Sequence, residues 1–521
     1  MNSSTLGSRT SLPVYPQTSS VTATRAARAR GNNIQDRRAQ PRGRMSASVY
    51  DTAQALRLAP PSDPLPVVQW LLEEQGADGA WGDAVEPLAR DTPTLAALLA
   101  LTRYPNHAGV GRALQSARAF LETAPKRWSD PLAEGIPVAV EVIVTSLLQQ
   151  AAALGIDLEV RGFAPLVRAG LARLPKLRRI PAAPGLPPAF CFEAWGTDAV
   201  PAWLDDLGSV ATNPAASAGW YQRSTERPDL EPARQRVRQY LDRASATTCE
   251  PVGVMPSAWP IERFELAFGL LPLVATGLLT EPRLSDVLAP NLDELARILG
   301  SGGIGHSYLF HADVDDTAAA MAVLSAAGRK VDWKTLELFR FADHFVTYPG
   351  ESHASISATA RAVFALRVGG REPGVGDDFF SRRRQPDGRF TGDKWNSSWL
   401  YTTWSVVLAL PQGPAARSTL EEVAALLLAQ QKADGGWGSG AVSSAGETSY
   451  ALLTFHALLA RGLVNDQARA ATRAAYCWLR DRHRRGLQPF EKVWICKELY
   501  SVPRIDTVFA LAALLSFEAS S

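Results

Sequence analysis

Apolar residues recur at three- and four-residue spacing along almost the whole chain. The segments "VVQWLLEEQG" (67–76), "TPTLAALLALTRY" (92–104), "PVAVEVIVTSLLQQAAALG" (137–155), "TLEEVAALLLAQQ" (419–431) and "ETSYALLTFHALLARGL" (447–463) all follow it. That spacing puts apolar side chains on one face of a 3.6-residue helix. Asp91-Thr92-Pro93 and Ser418-Thr419 supply caps or a first-turn proline where two such runs begin. Two-residue alternation, the mark of a half-buried strand, is rare. The pattern predicts an all-α protein. The most apolar stretch, Leu266 to Leu279, is too short to cross a bilayer and contains Pro272, so it reads as a buried helix.

A second pattern lies on top of the first. "EEQGADGAWGD" (73–83) resembles "AQQKADGGWGS" (429–439), and "RRRQPDGRFTGDKW" (382–395) is a degenerate third copy. Each joins a helix end bearing Gln to an Asp-Gly turn and an aromatic residue. Asp-Gly makes the tight turn, the aromatic ring packs back, and the Gln amide reaches the next helix end. Repeated units of this kind staple helical hairpins into a stack. Such hairpins close into α/α barrels, and 521 residues leave room for two. Irregular, proline-rich stretches at 175–196 and 247–260 interrupt the pattern, and the main change of domain is placed near 260.

Charge changes the picture only at the N-terminus. Residues 1–44 hold eight arginines and one aspartate, a balance of +7, which leaves −5 for the rest of a chain whose net charge is +2. The basic character therefore belongs to the first segment, and the body has no reason to bind nucleic acid. That segment is rich in Ser, Thr and Arg and poor in large apolar residues, so 1–44 is expected to be a disordered extension. It has the composition of a transit peptide; the plainer expectation is that Met45 is the true start. The four cysteines, Cys191, Cys249, Cys477 and Cys496, form no CxxC pair. They suggest a reducing compartment and no zinc site, and the expected location is cytoplasmic, without stable membrane insertion.

Candidate chemistry concentrates in "HADVDDTAAAMAVL" (311–324). Asp313 and Asp316 are three apart and share a face once a helix has begun. Asp315 points elsewhere. Carboxylates crowded against an apolar run should have raised pKa values and serve as strong acids when used. On spacing alone, a helix N-cap with dipole-compensating acids explains the cluster better. A calcium loop lacks its Gly and terminal Glu. Asp205-Asp206 and Asp377-Asp378 do not complete a DDxxD pattern for diphosphate ionisation.

The combination of "DVDDTA" with the Asp-Gly-aromatic repeats resembles the class II terpene cyclases, in particular bacterial copalyl-diphosphate-synthase-like enzymes. Further blocks are similar to that family: "SASVYDTA" (46–53), "GIPVAVEVIVTSLLQQAAALGID" (135–157), "WPIERFELAFGLLPLVATGL" (259–278), "TYPGESHASIS" (347–357), "DKWNSSWLYTT" (393–403), "GETSYAL" (446–452) and "WICKELYSVPRI" (494–505). The resemblance implies two α/α barrels. Segment 45–60 would join the β domain, 61–260 would be an inserted γ domain, and 261–521 the β domain carrying the acids.

It also implies roles. Asp315 would protonate the terminal alkene of a linear prenyl diphosphate, with Asp313 and Asp316 holding and polarising it. Ser357 and Arg361 would support the acid, although relatives usually have Asn or His at the second position. Lys394 and Lys497 would contact the diphosphate, and Glu141 would serve its Mg2+. Trp259, Trp395, Tyr348 and Tyr401 would face the migrating cation. Plant enzymes making the ent-copalyl product use a His and an Asn to hold a proton-accepting water; Phe190 and Ser257 stand there in this chain and would shape the product. The implied reaction turns geranylgeranyl diphosphate into a bicyclic, labdane-type diphosphate. A class I terpene synthase or phosphatase would act downstream. A farnesyl diphosphate cyclase giving a drimenyl-type product is the nearest alternative. A squalene–hopene-type cyclase would be longer and bind membranes. A prenyltransferase subunit would need an Asp, Cys and His zinc set, and a helical scaffold gives no reason for three acids beside an apolar helix.

Overall fold

The computed structural model describes residues 42–521 apart from 124–127, 133–134, 159–160, 352, 412 and 521. The described residues belong to one compact unit and are mostly helical. Their only paired strands are two short hairpins, β1 (Arg340–Phe341) with β2 (His344–Phe345) and β3 (Trp494–Ile495) with β4 (Leu499–Tyr500). None of their helices is long and apolar enough to cross a membrane.

The inner helices form two closed rings. The first contains α1 (Val49–Leu58), α2 (Asp91–Leu101), α3 (Val140–Ala153), the single turn α4 (Phe192–Trp195) and α5 (Pro214–Arg223). Each packs on the next, and α5 returns to α1. The second contains α6 (Glu262–Ala275), α7 (Val314–Ala326), α8 (Ile356–Val368), α9 (Trp399–Ala409), α10 (Ala445–Leu459) and α11 (Pro503–Ser520), and α11 closes on α6. Some inner helices have no solvent face. Every residue of α2 and of α9 is buried, as a helix apolar all round must be. Outer helices such as Leu65–Glu74 and Glu231–Ser245 instead bury one stripe.

The repeats are the joints of these rings. Gln75 donates to the carbonyls of Gly79 (2.8 Å) and Ala113 (2.9 Å); Gln431 donates to Gly435 (2.7 Å) and Ala471 (2.8 Å). The indole N–H of Trp81 reaches Leu71 O at 2.7 Å, and that of Trp437 reaches Leu427 O at 2.9 Å. In the third copy Arg384, not Gln385, stands three residues before the Asp-Gly, and its Nε donates to Gly388 O at 3.1 Å. The buried helix-end carbonyls thus receive partners, without which each would cost about 1–3 kcal/mol.

Two expectations about the N-terminal region are corrected. Residues 1–41 lie outside the described residues, but 42–44 are held in place: Arg42 O accepts from Ile261 N at 2.9 Å, and Arg44 N donates to Glu265 at 2.8 Å. Segment 45–60 was expected with the acid-bearing half. Its helix α1 instead completes the first ring, against α2 and α5. Its start also bonds to the other half, as in Ser46 N to Ser501 O, Lys492 Nζ to Ala47 O and the backbone N–H groups of Val49 and Tyr50 to Glu498. A helix buried along its whole length needs neighbours on every side, and the five-membered ring supplies them.

Candidate active site

A cavity with about 880 Å3 of empty space, its mouth included, is lined by both halves of the chain. The first half contributes Val138, Pro187 and Phe190; the second contributes the acids and much of an aromatic wall. The loop carrying Phe190 is fixed by a close approach. Gly185 has φ +69° and a side chain there would meet Leu309 O at 2.3 Å, so only glycine fits, and its carbonyl accepts from His311 N at 3.1 Å. The proline-rich stretch is thereby docked on the loop that leads into the acids.

Asp313 is the N-cap of α7; its Oδ1 accepts from Asp316 N at 2.7 Å. The capping role read from spacing is real, and it coexists with the site. All three acids line the cavity. Asp313 and Asp316 are buried, and Asp316 Oδ1 has no hydrogen-bond partner among the described residues. Asp315 is partly exposed and ion-paired with Arg361 Nη1. Burial, then the neighbouring carboxylates, push Asp313 well above the usual carboxylate range. Asp316 is pushed up to about 8, first by burial and then by Asp315. Burial also raises Asp315, with Arg361 pulling the other way.

Arg361 is buried, donates to Tyr401 Oη and lies 4.3 Å from the Phe268 ring centroid. Ser357 lines the cavity and bonds to a carboxylate that no motif marked, Asp393. Asp393 accepts from Ser355 Oγ (2.9 Å), Ser357 N (3.0 Å) and Oγ (2.7 Å), Trp395 N (3.1 Å) and Asn396 N (3.2 Å). This carboxylate pins the start of α8, and hence Arg361, to the 393–396 loop. It sits in the "DKW" block, where attention went to the lysine beside it.

The other candidates divide. Trp395, Tyr348, Phe190 and Ser257 line the cavity. Trp395 is oriented by a 3.0 Å bond from its indole N–H to Thr347 Oγ1. Tyr401 and Trp259 are not among the lining residues. Tyr401 stands behind Arg361 against Trp494, with ring centroids 5.1 Å apart. Trp259 packs on Tyr240 and its carbonyl accepts from the Tyr240 hydroxyl at 2.9 Å. Both are supports, not cavity walls. Phe264, Phe268, Phe310 and Trp494 form wall that was not singled out. The signal for two of them was present: Phe264 and Phe268 are four apart on α6, and their rings meet edge to face at 4.5 Å.

Two charged candidates have protein partners. Lys497 is fully buried; its ammonium donates to Glu193 Oε1 at 2.7 Å and Asn213 Oδ1 at 2.9 Å, and lies 3.8 Å from Asp51. Burial opposes its charge, but Glu193, Cys191 and Asp51 raise its pKa overall. A fully buried lysine so occupied staples the first ring to the 494–500 hairpin. Glu141, expected at a metal, is ion-paired with Arg173. Among the described residues no three His, Cys, Asp or Glu side chains converge to hold a cation. Lys394 remains a candidate: it is ion-paired with Glu351, its ammonium is 4.7 Å from the Trp395 centroid, and burial lowers its pKa to about 7 against the pull of Asp315.

Sequence comparison decides what kind of site this is. The chain is 38% identical over 491 residues to (+)-kolavenyl diphosphate synthase of Herpetosiphon aurantiacus, covering 91% of this chain and 94% of that one. It belongs to the class II terpene cyclases. Residues 348–486 match the squalene-hopene cyclase C-terminal domain. A type B diterpene cyclase of Mycobacterium tuberculosis is 29% identical over 90% of this chain and 95% of its own. Among solved structures, ent-copalyl diphosphate synthase from Streptomyces platensis superposes with a TM-score of 0.73 at 26% identity, over 91% of this chain and 96% of that one. The cyclase is therefore an enzyme of the diterpene branch with the two-barrel fold of that structure.

Proposed function

We propose that the cyclase converts geranylgeranyl diphosphate into a bicyclic, labdane-type diphosphate, with Asp315 delivering the initiating proton. The observation that carries this reading is a triad of protonatable acids on the wall of an aromatic-lined cavity. Burial and crowding keep protons on the triad near neutral pH. Arg361, in contact with Asp315, stabilises the carboxylate that appears as the proton leaves. That stabilisation is larger in the transition state than before it, which is what accelerates a reaction. Asp315 donates because it is the most open of the three, while Asp313 is tied to the helix start.

Once the terminal alkene takes the proton, the internal alkenes attack in turn and the positive charge moves along the folded chain. Tyr348, Phe310, Phe264, Phe268 and Trp494 present ring faces or edges to that path, and a face toward a cation is favourable. The cavity holds the chain folded, which removes much of the entropic barrier. Nothing in the site ionises the diphosphate, and relatives named as diphosphate synthases support a product that retains it. The relative named as a diterpene cyclase supports a C20 substrate.

Lys394 is the cation assigned to the diphosphate. The side chains do not fit a resident magnesium, since Glu141 is engaged by Arg173 and among the described residues no three His, Cys, Asp or Glu side chains converge. Magnesium is proposed only as the counter-ion that accompanies the diphosphate, with substrate oxygens as ligands. The test is incubation of the purified protein and magnesium with C15, C20 and C30 substrates, then phosphatase treatment and mass spectrometry. A cyclised C20 alcohol is expected, and none from Asp315→Ala. Full activity of that variant, or cyclisation of the C30 substrate alone, would overturn the reading.

A further inference from the structure

A half-buried histidine in the cavity wall is left unused by this scheme. His306 lies in the loop before the acids, lines the cavity, and its ring centroid is 4.3 Å from that of Phe310. Its Nε2 is 2.8 Å from Thr212 Oγ1, and that hydroxyl donates to Ala211 O at 2.7 Å. A threonine hydroxyl has one proton. With that proton on Ala211 O, Thr212 can only accept, so His306 carries its own proton on Nε2. The opposite tautomer would strip Ala211 O of this bond and leave a bare N–H against an apolar wall, a cost of about 1–3 kcal/mol. Nδ1 is therefore an unprotonated lone pair, and it makes no hydrogen bond among the described residues.

We propose that His306 Nδ1 is the base that ends the reaction, removing a proton from the bicyclic cation. This rests on the cyclisation reading above. Position favours it. Charge released by protonation at one end of the chain accumulates at the last ring closed, away from the acids. Tyr348 lies close enough to feel all three acids, whereas burial alone shifts His306; the Phe310 ring, 6.3 Å from Tyr348 and 4.3 Å from His306, stands between the two. Phe190, 6.1 Å from Phe310, offers no lone pair. Ser257 Oγ, which has no partner among the described residues, is a far weaker base.

In the step, a C–H bond beside the cationic carbon breaks. Its electron pair becomes the new C=C bond, and the proton bonds to Nδ1 to give imidazolium. The imidazolium loses that proton to solvent before the next cycle, and the acids regain one, so no proton is gained or lost overall. Burial lowers the His306 pKa to about 3. That keeps the ring neutral beside the acids and returns the proton promptly, while a carbocation's adjacent proton is acidic enough to need no stronger base.

Two variants test the assignment. His306→Gln keeps a donor toward Thr212 and removes the acceptor at Nδ1. Thr212→Val leaves the histidine and the cavity shape in place but removes the acceptor that fixes its tautomer. Products of C20 turnover are quantified after phosphatase treatment, with thermal melting recorded for each protein. In His306→Gln the ratio of the main alkene to all other alkenes and water-quenched alcohols should fall by about tenfold or more, while substrate consumption persists. Thr212→Val should move the ratio in the same direction. An unchanged ratio in both, with only slower turnover or lower melting, makes His306 structural and overturns the proposal. If the wild-type protein cyclises no C20 substrate, the functional reading itself fails.

Discussion

Arg361 is the residue on which the acid assignment can be tested most sharply. Replacing it with methionine keeps the length and apolar stem but removes the charge facing Asp315. Arg361 is the group that pulls the Asp315 pKa down against burial, and removing one donor aimed at a developing carboxylate costs about 10²–10³ in kcat. Burial already raises Asp315, so without Arg361 its pKa rises further. A protonated acid avoids an unpaired buried charge, so the fold survives with a moderate loss of melting temperature. The cost falls on chemistry: a weaker acid protonates the alkene more slowly, and kcat for C20 cyclisation should drop by about 10²–10³. The assay is initial-rate product formation from pH 5 to 9, by mass spectrometry after dephosphorylation. The alkaline limb should also move upward. Arg361→His restores a donor and should recover part of the loss. A kcat within threefold of wild type, or an alkaline limb that stays put, would refute the argument that Arg361 stabilises the departing proton's carboxylate.

Other outcomes follow from the same geometry. Activity should fall as pH rises through about 8, where the raised Asp316 ionises and the triad loses its proton. The sign for stability is the same: this carboxylate binds its proton more tightly when folded, so its contribution is complete below the unfolded pKa near 4 and is lost as pH rises through about 8. Lys497→Met strands Glu193 and Asp51 as unpaired buried acids and should cost about 3–5 kcal/mol in a denaturant melt. Residual KM for the diphosphate should stay unchanged, which would not hold if the lysine bound substrate. Asp393→Asn turns one acceptor oxygen toward backbone N–H groups into an amide donor and should cost about 1–3 kcal/mol, with kcat reduced through the displaced Arg361. KM should rise above pH about 7 as Lys394 loses its charge, and Lys394→Ala should abolish that dependence.

What the sequence revealed and what it concealed follow from how each feature is encoded. Helices, Asp-Gly joints and the acid triad are written in neighbouring residues, so spacing alone exposed them. The triad's dual nature shows the limit of that reading. Capping and catalysis ask for the same residues at the same spacing, and only the apolar cavity against Asp315 and Asp316 separates them. Charge roles were harder still, because a lysine's partner is set by the fold. Lys497 and Lys394 look alike in sequence, yet one donates to Glu193 and Asn213 while the other sits beside Trp395. The placement of α1 depends on a ring closed by helices 33 to 165 positions away along the chain, and no local pattern records it. His306 was passed over because a lone histidine in "GGIGHSYLF" carries no motif. Its significance comes from one hydroxyl 94 residues earlier: Thr212 decides which ring nitrogen is bare, and so whether the cavity wall holds a base or only another ring.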